Sequence, residues 1–496
     1  MTSSMAYPLA VVPIFVNAGT ALAPAIVAGA ASVVALLLKP REMVSLCRRR
    51  PAIPLGVVVA IFAVWWGVSW LVGAGGAGGR ARGDTTPKRD WAKVAMEIIR
   101  RERNGPLMLK LLWDYNPEGA MVLSSPLVVG KRVYCASSLE NVDGKIYGAM
   151  FCLDAGTGQS VWVTDAIDGK AMKPFFSSPA ITADGKYVLI GQGLHDDKDC
   201  ELLCMEAATG QVHWRVKTTL HIESSPAILG DMVVVGAGAI EGADHKPTTE
   251  AGEVIAVRIS DGKELWRYVV NDPESSPAVS ADGIVYIGSG FEGNAVVALR
   301  SESDEDLKRK GLARLMWRTA LPYPVTGAVT LAGDLVVVGG GNSDYVYSSP
   351  NPAGVVAALD ARSGAVRWQK PMKDAVLGAV AWGDGKLICP VRNGEVIAMK
   401  AADGTEIWRR AVSGKSPILA GPAFTGRYVY AVSRDGYLGV LDASDGKLLE
   451  RHGLNDEGNP GEAGLSLSSP TVADGRVYVG SETGGLRCFV SGKVGQ

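Results

Sequence analysis

The chain has 496 residues, which exceeds the usual size of one small core and predicts more than one structural unit. Its formal net charge is −1, so the basic excess typical of nucleic-acid-binding proteins is missing and no nucleic-acid partner is expected. The 61 glycines and 12 tryptophans predict a turn-rich all-β protein. Seven cysteines are too few for a disulfide scaffold, and the scattered histidines predict no metal site.

Two apolar segments predict a membrane anchor over residues 1–77. Residues 9–38 and 52–74 are each long enough for a transmembrane helix, and three tryptophans lie near the end of the second, where aromatic belts form. The loop between them is basic, whereas the first eight residues carry no lysine or arginine. By the positive-inside rule the loop is cytoplasmic, so the rest of the chain is expected on the extracytoplasmic (periplasmic) side of the cytoplasmic (inner) membrane.

Residues 78–110 are predicted to link the anchor to the remainder of the chain. A Gly-rich hinge opens this segment, and a Thr-Pro pair at 86–87 can cap and begin a short helix over residues 88–103. Apolar residues from Trp91 to Ile98 follow helical spacing and give the helix one apolar face. We expect this amphipathic helix to be a spacer without chemistry.

From residue 111 onward, a unit of four short strands repeats eight times. Five copies begin with Ser-Ser-Pro and three with a degenerate form, at Ser124, Ser177, Ser224, Ser275, Thr326, Gly378, Gly421 and Ser468. Asp-Gly turns join the first two strands of four copies, and they are a strong hairpin signal because both central residues need positive φ. The repeat predicts an all-β fold, an eight-bladed β-propeller of four-stranded antiparallel blades over residues 111–496.

The fourth strand of most units carries a tryptophan. These outer residues are Trp113, Trp162, Trp214, Trp266, Trp317, Trp368 and Trp408, and Leu449 takes the eighth place. The last unit lacks an outer strand, whereas the first strand, residues 111–115, precedes the first Ser-Ser-Pro and has no blade of its own. We therefore expect the first strand to complete the last blade, because a closed ring leaves no exposed edge between terminal blades.

The recurring pattern Ala/Leu-Asp-x-x-Thr/Asp-Gly-x-x-x-Trp, as at residues 153–162 and 359–368, resembles the tryptophan-docking repeat of PQQ-like (quinoprotein-type) propellers. That family includes quinoprotein alcohol and glucose dehydrogenases and the outer-membrane assembly lipoprotein BamB. The resemblance covers residues 111–490. It implies that the tryptophans wedge between adjacent blades and have structural roles.

Loop lengths indicate which face of the propeller binds a partner. The B–C loops, between the second and third strands, share one face with the D–A connections between blades. The B–C loops are long in the first five units and minimal in the last three. Because variable loops on a rigid scaffold usually carry binding, we expect a protein or peptide partner on this B–C/D–A rim. The candidate ligand-binding residues are Ser125, Ser178, Glu223, Ser225, Glu274, Ser276, Thr326, Asn342, Arg392, Arg434, Ser469 and Glu482.

Each class of candidate has a chemical reason. The hydroxyls would ring the mouth of the propeller, although they could instead satisfy backbone groups at the crowded inner strands. Arg392 and Arg434 end equivalent second strands of neighbouring blades and could jointly hold an anion. Tyr345 and Tyr347 belong to a loop suited to a protein partner. Five of the seven cysteines fall in small apolar strand positions and are expected to be buried thiols.

The resemblance implies two alternative functions. The first is a membrane-anchored, extracytoplasmic scaffold that binds a protein or peptide as BamB does, with no cofactor and no catalytic residue. The alternative is a membrane-bound quinoprotein (PQQ-dependent) alcohol or sugar dehydrogenase, with PQQ and calcium on the propeller axis and Arg392 and Arg434 as first contacts. The chain has no vicinal Cys-Cys pair and no Cys-x-x-Cys-His haem motif, which favours the scaffold.

Overall fold

The computed structural model describes residues 105–117, 120–140, 146–194, 197–238, 252–455 and 466–492. These residues form eight antiparallel blades arranged as a propeller, which confirms the predicted fold. The predicted transmembrane helices and the linker helix lie outside the described residues and stay predictions. Within the described ranges, no helix has the length and hydropathy needed to cross a membrane.

The first strand, β1 (Leu109–Tyr115), precedes the first blade, and the strands of each blade run from the innermost, A, to the outermost, D. Blades one and two consist of β2 (Ala120–Met121), β3 (Leu127–Val129), β4 (Arg132–Glu140), β5 (Ile146–Asp154), β6 (Ser160–Thr164), a small hairpin of β7 (Ala166–Ile167) and β8 (Lys170–Ala171), then β9 (Ala180–Ile181), β10 (Tyr187–Gly191), β11 (Lys198–Glu206) and β12 (Val212–Leu220). Blades three and four consist of β13 (Ala227–Leu229), β14 (Met232–Ala237), β15 (Glu253–Arg258), β16 (Glu264–Val269), β17 (Ala278–Val279), β18 (Ile284–Ser289), β19 (Ala295–Arg300), helix α1 (Asp304–Lys310) and β20 (Leu315–Ala320).

The second half of the ring follows the same order. Blades five and six consist of β21 (Thr330–Ala332), β22 (Leu335–Gly341), β23 (Gly354–Asp360), β24 (Val366–Met372), β25 (Ala381–Gly383), β26 (Lys386–Pro390), β27 (Glu395–Lys400) and β28 (Glu406–Ala411). Blades seven and eight consist of β29 (Ala423–Phe424), β30 (Tyr428–Ser433), β31 (Tyr437–Asp442), β32 (Leu448–Gly453), β33 (Thr471–Ala473), β34 (Arg476–Ser481) and β35 (Gly485–Ser491).

The ring closes as the sequence predicts. The eighth sheet has the order β33-β34-β35-β1, and Trp113 of β1 pairs with Cys488 of β35. The outer strand of the last blade thus comes from the N-terminal side of the propeller. Closure therefore depends on contacts between segments that are more than 370 residues apart in sequence.

Of the four Asp-Gly turns between strands A and B, those of blades six and eight have positive φ at both central residues. Asp384 and Asp474 both have φ of 48°, and the glycines that follow them have φ of 70° and 71°. At the turns of blades two and four, only Gly185 and Gly283 have positive φ. The prediction of two positive φ angles is wrong there because these A–B connections are longer.

Each outer tryptophan docks onto the next blade. In all seven cases the indole N–H donates to a backbone carbonyl of the following C–D connection, over 2.6 to 3.1 Å. A β-bulge accompanies each tryptophan, which pairs with alanine or cysteine on strand C. The small partner leaves room for the indole, and the bulge aims it at the neighbouring blade.

A glycine lies against six of the seven indoles, and one contact differs. A Cβ on Gly364 would lie 2.5 Å from the ring of Trp317, so only glycine fits there. Under Trp266 the turn is replaced by an insertion that contains α1. There the Arg314 guanidinium lies 4.5 Å from the Trp266 ring centroid and pairs with Asp304. A cation–π contact thus takes the place of the glycine.

We predict that Gly364→Ala destabilises the propeller more than Gly385→Ala. Both glycines have positive φ, 73° and 70°, so both substitutions carry a left-handed backbone cost of about 1–2 kcal/mol. A Cβ on Gly385 would meet nothing within 4 Å, whereas one on Gly364 would displace Trp317, adding about 1–3 kcal/mol. Urea unfolding of the two variants measures the difference. Equal losses would show that the Trp317 ring can move without cost.

The eighth docking position holds Glu450, which corrects the assignment of Leu449. Glu450 pairs with Val440 as Trp408 pairs with Ala398, so the predicted position is wrong by one residue. The error arises because this unit lacks the tryptophan that sets the register. The Glu450 carboxylate accepts the N–H of Met108 and, at 2.8 Å, the N–H of Leu109. It therefore contacts the start of β1, where blade eight has no C–D turn.

Candidate functional site

Five serine hydroxyls at the inner strands form hydrogen bonds between blades. Ser125 Oγ accepts the N–H of Ser469, and Ser178 Oγ accepts the N–H of Ser125, both at 2.9 Å. The same contact recurs at the remaining candidates Ser225, Ser276 and Ser469. These hydroxyls accept hydrogen bonds from backbone N–H groups near the axis, which is the structural role that the sequence analysis gave as the alternative to ligand binding. Their role in ligand binding stays a prediction.

Thr326 lies two positions before this serine ring. Strand pairing in blades four and five places Thr326 at the position of Glu274, and Ala328 at the position of Ser276. The predicted register of this blade start is wrong by one residue because no proline marks it. Thr326 therefore belongs to the set of residues that directly precede the Ser-Ser pair, or its equivalent, in each blade.

The residues that directly precede the Ser-Ser pair, or its equivalent, in each blade meet at the mouth of the propeller axis. Five of the eight pack with Tyr345 in one apolar cluster, which we call the axial plug: Leu123, Phe176, Leu377, Leu419 and Leu467. These five residues come from blades one, two, six, seven and eight. Because they come from both sides of the ring, the axial plug lies across the axis.

Tyr345 connects opposite sides of the ring. It belongs to the B–C loop of blade five, residues 342–353. Its ring centroid lies 5.4 Å from that of Phe176 in blade two, in an edge contact. Its hydroxyl donates to the carbonyl of Leu377 in blade six at 3.1 Å. Blades two and six face each other across an eight-bladed ring, so this side chain closes the axial mouth.

The loop that carries Tyr345 is braced from within. The Asn342 amide donates to the Asn351 carbonyl at 2.9 Å and accepts the Ala353 N–H at 2.8 Å. Asn342, a predicted ligand-binding residue, therefore holds the two ends of the loop together. At the tip, Val346 and Tyr347 are 46% and 56% exposed. The loop thus turns one tyrosine toward the axis and presents two large side chains to solvent.

Arg392 clamps the same loop. Its Nε donates to the Asp344 carbonyl at 2.7 Å, a second guanidinium nitrogen reaches the Val346 carbonyl at 3.3 Å, and Asp374 lies 3.9 Å away. Arg392 and Asp374 are both buried. Burial lowers the pKa of Arg392 from its ordinary value, and the Asp374 charge opposes that shift. The guanidinium N–H groups of Arg392 that could have bound a free anion donate instead to carbonyls of the blade-five B–C loop.

We predict that Arg392→Met releases the loop and destabilises the protein by about 3 kcal/mol, because it leaves Asp374 buried without its cation. Hydrogen–deuterium exchange over residues 342–353 should increase in this variant. The matched control is Lys373→Met, since Lys373 is exposed on the same rim and, within the described residues, its one ion pair is with Glu395, at 3.8 Å. Unchanged exchange in Arg392→Met would show that the loop holds without the clamp.

Glu223 and Glu274 lie beside the axial plug on blades three and four. His221, which the sequence did not single out, lies with its Nε2 3.0 Å from a Glu274 carboxylate oxygen, and all three residues are buried or nearly so. Burial raises the pKa of Tyr345, and the charges of the two glutamates raise it further. Tyr345 therefore stays protonated at neutral pH and keeps donating to Leu377.

Arg392, Arg434 and Glu482 occupy equivalent positions at the ends of the second strands of blades six to eight. The equivalent residues of blades two to five, where the B–C loops are long, are glycines: Gly193, Gly238, Gly290 and Gly341. The long side chains thus occur where the loops are short. The charge of Arg434 acts on Arg392, so the two side chains are neighbours. Of these two arginines, Arg392 is the one that hydrogen-bonds, among the described residues, to the B–C loop of blade five, residues 342–353, which we call the plug loop.

The cysteines and the acidic residues do not form a metal or redox centre in the described part of the chain. The six cysteines there are buried free thiols, and burial raises the pKa of Cys135 and Cys389 to about 12. Such thiols are poor nucleophiles and act as small apolar side chains. Among the same residues, no group of His, Cys, Asp and Glu is arranged to hold a metal ion.

Comparison with known proteins agrees with the repeat and the propeller geometry. BamB of Yersinia pestis is 24% identical over 361 residues, which cover 69% of this chain and 80% of that protein. The crystal structure of BamB from Moraxella catarrhalis has a TM-score of 0.53 and 18% identity, covering 79% of this chain and 99% of that one. A quinohemoprotein alcohol dehydrogenase from Comamonas testosteroni has a TM-score of 0.55, 16% identity and 80% coverage of both chains.

The two solved structures show only the shared fold, since a scaffold and a dehydrogenase match about equally well. The family model gives the closer assignment. The model described as outer membrane protein assembly factor BamB matches residues 152–305, 250–349 and 352–495, which together make up well over half of the chain. The chain therefore belongs to the outer membrane protein assembly factor BamB family of PQQ-like propellers.

Proposed function

We propose that this protein is a non-catalytic scaffold for outer membrane protein assembly that holds a protein partner on its B–C/D–A rim. Two findings support the proposal: the family match and the geometry of the plug loop. The loop closes the axial mouth with Tyr345 and exposes Val346 and Tyr347 at its tip. Exposed aromatic residues on a rigid support are typical anchors of protein interfaces, because little conformational entropy is lost on binding.

The same geometry argues against the dehydrogenase alternative. PQQ with calcium would need space on the axis and free donors for its carboxylates. Apolar side chains of the axial plug fill the mouth of the propeller axis. Arg392 donates to a carbonyl of the plug loop and pairs with Asp374. The residues present therefore fit the cofactor poorly on this face.

The rest of the proposal follows the sequence predictions. The propeller would lie in the extracytoplasmic space, held to the cytoplasmic membrane by the two predicted N-terminal helices. Positive-inside charge asymmetry supports this orientation.

Photo-crosslinking in native membranes tests the scaffold. A photoreactive residue at position 347 of the full-length protein should give one discrete adduct, containing a component of outer membrane protein assembly. Leu312 is the matched control, because it is 41% exposed but lies in the C–D insertion on the opposite face. Equal adducts from both positions, or none from position 347, would count against the rim.

Titration with PQQ and calcium tests the alternative. Purified full-length protein should show no saturable change in PQQ absorbance and no dye-linked oxidation of alcohols or sugars. Saturable binding that is abolished in Arg392→Gln would instead favour the dehydrogenase.

A further inference from the structure

Arg434 is a rim cation whose guanidinium has no counter-ion in the described part of the chain. Its Nε is buried and has no hydrogen-bond partner there, and no carboxylate among the described residues lies within salt-bridge distance of the group. The backbone is well held, since the Arg434 N–H donates to the Pro417 carbonyl at 2.8 Å. A partly desolvated charge without a partner is costly, so this position favours an anion.

Two acidic residues on this part of the rim, Asp435 and Asp374, have other partners. Asp435 accepts the hydroxyls of Ser413 and Ser433, at 2.6 and 2.5 Å. Asp374 accepts the Ser343 hydroxyl at 2.7 Å and is the counter-ion of Arg392. These carboxylates are oriented by their own hydrogen bonds and do not neutralise Arg434.

Other positive charges near Arg434 further favour the binding of an anion there. The Arg434 charge contributes to lowering the pKa of Arg392, so the two guanidinium groups are near enough to repel. Lys415 is exposed on the adjacent D–A connection, whose backbone packs against Gly394 in the turn after Arg392. Blades six and seven thus present Arg392, Arg434 and Lys415 on one sector of the rim. Among the residues that the structure describes, Arg392 is the one of these three cations with a carboxylate within 4 Å.

We infer that Arg434 is the point on the rim at which an acidic side chain of the protein partner docks. The inference rests on the proposed scaffold function for the class of partner and adds the chemistry of the docking segment. A guanidinium binds a carboxylate through two parallel hydrogen bonds, which also orients the partner. The exposed Val346 and Tyr347 lie on the other side of Arg392, so an apolar residue of the same segment can pack there.

Binding of a labelled hexaglutamate peptide to the full-length protein tests the inference. Fluorescence anisotropy at low salt should show saturable binding that hexaglutamine does not reproduce and that weakens as salt is added. Arg434→Gln should weaken hexaglutamate binding about tenfold, the loss expected for one charge-assisted contact. Lys415→Gln removes the same charge from the same sector and should change the affinity less than twofold.

Arg434→Lys keeps the charge but loses the paired donors, so its affinity should fall between those of the parent and Arg434→Gln. If Arg434→Gln does not fold, the affinity of Arg434→Lys for hexaglutamate tests the role of Arg434 in its place. Absence of saturable binding to the parent protein would overturn the inference. So would equal losses in Lys415→Gln and Arg434→Gln, which would indicate only a diffuse positive field.

Two further results separate this inference from the scaffold proposal. If position 347 captures a protein but hexaglutamate does not bind, the scaffold stands and the role of Arg434 is wrong. If Arg434→Gln lowers the melting temperature while the parent binds no peptide, Arg434 serves an acidic residue of its own chain and the inference is likewise overturned.

Discussion

Replacing Trp113 with alanine should lower the free energy of unfolding of the full-length protein by about 3–5 kcal/mol. Trp113 is 8% exposed, its ring centroid lies 5.9 Å from that of Tyr478, and its indole donates to the Ala155 carbonyl at 3.1 Å. It therefore joins β1 to blades eight and one at the same time. Loss of the ring would weaken the strand with which the N-terminal side of the propeller completes the last blade.

The matched control is Trp382→Ala, which deletes the same side chain from β25, where it is 46% exposed. We expect that variant to lose about 0.5 kcal/mol, as exposed positions usually do. Urea unfolding followed by far-UV circular dichroism measures both variants without depending on tryptophan fluorescence. Similar losses would mean that the closing strand is held mainly by its backbone ladder.

Replacing Glu450 with tryptophan, the residue usual at this repeat position, should destabilise the protein by about 1–3 kcal/mol. At the other seven positions an indole N–H meets the carbonyl of a C–D connection. At the eighth, blade eight has no such connection, and the start of β1 offers the N–H groups of Met108 and Leu109. Two donors require an acceptor, so a carboxylate fits where another donor does not.

The Glu450→Gln variant is the control, because its amide oxygen can still accept one of the two N–H groups. Its loss should be smaller than that of Glu450→Trp. Thermal unfolding of both full-length variants measures the order. A higher melting temperature for Glu450→Trp would show that the repeat consensus, and not the local donor pattern, governs this position.

Much of the fold could be predicted because the chain repeats itself. Eight copies of one unit gave the blade number, the strand order and the positions opposite each tryptophan, where Cys152 and Cys204 replace alanine. Loop lengths in the sequence predicted that the long, variable loops lie on the B–C/D–A face of the propeller. The errors at Thr326 and Leu449 both occur in copies that lack the marker residue of the repeat, proline in one and tryptophan in the other.

The site was less predictable than the fold. The candidate serines were recognised, but their partners are backbone N–H groups of neighbouring blades, about 50 residues away in most cases. The sequence predicts Tyr345 as a loop residue and Arg392 as an anion-binding residue, whereas in the structure Arg392 holds the loop from which Tyr345 reaches the axis. No local pattern marks such a clamp, because its members come from different blades.

The amino-acid sequence by itself determined the local units of this protein: four strands, their turns and one docking tryptophan, all set by interactions within 50 or so residues and repeated until the ring was full. Only the tertiary structure decided what happens where the blades converge. At the axis, side chains from blades two, five and six meet, and at the seam the two ends of the ring meet. Contacts between such distant residues follow from the closed geometry, since no single repeat contains both partners.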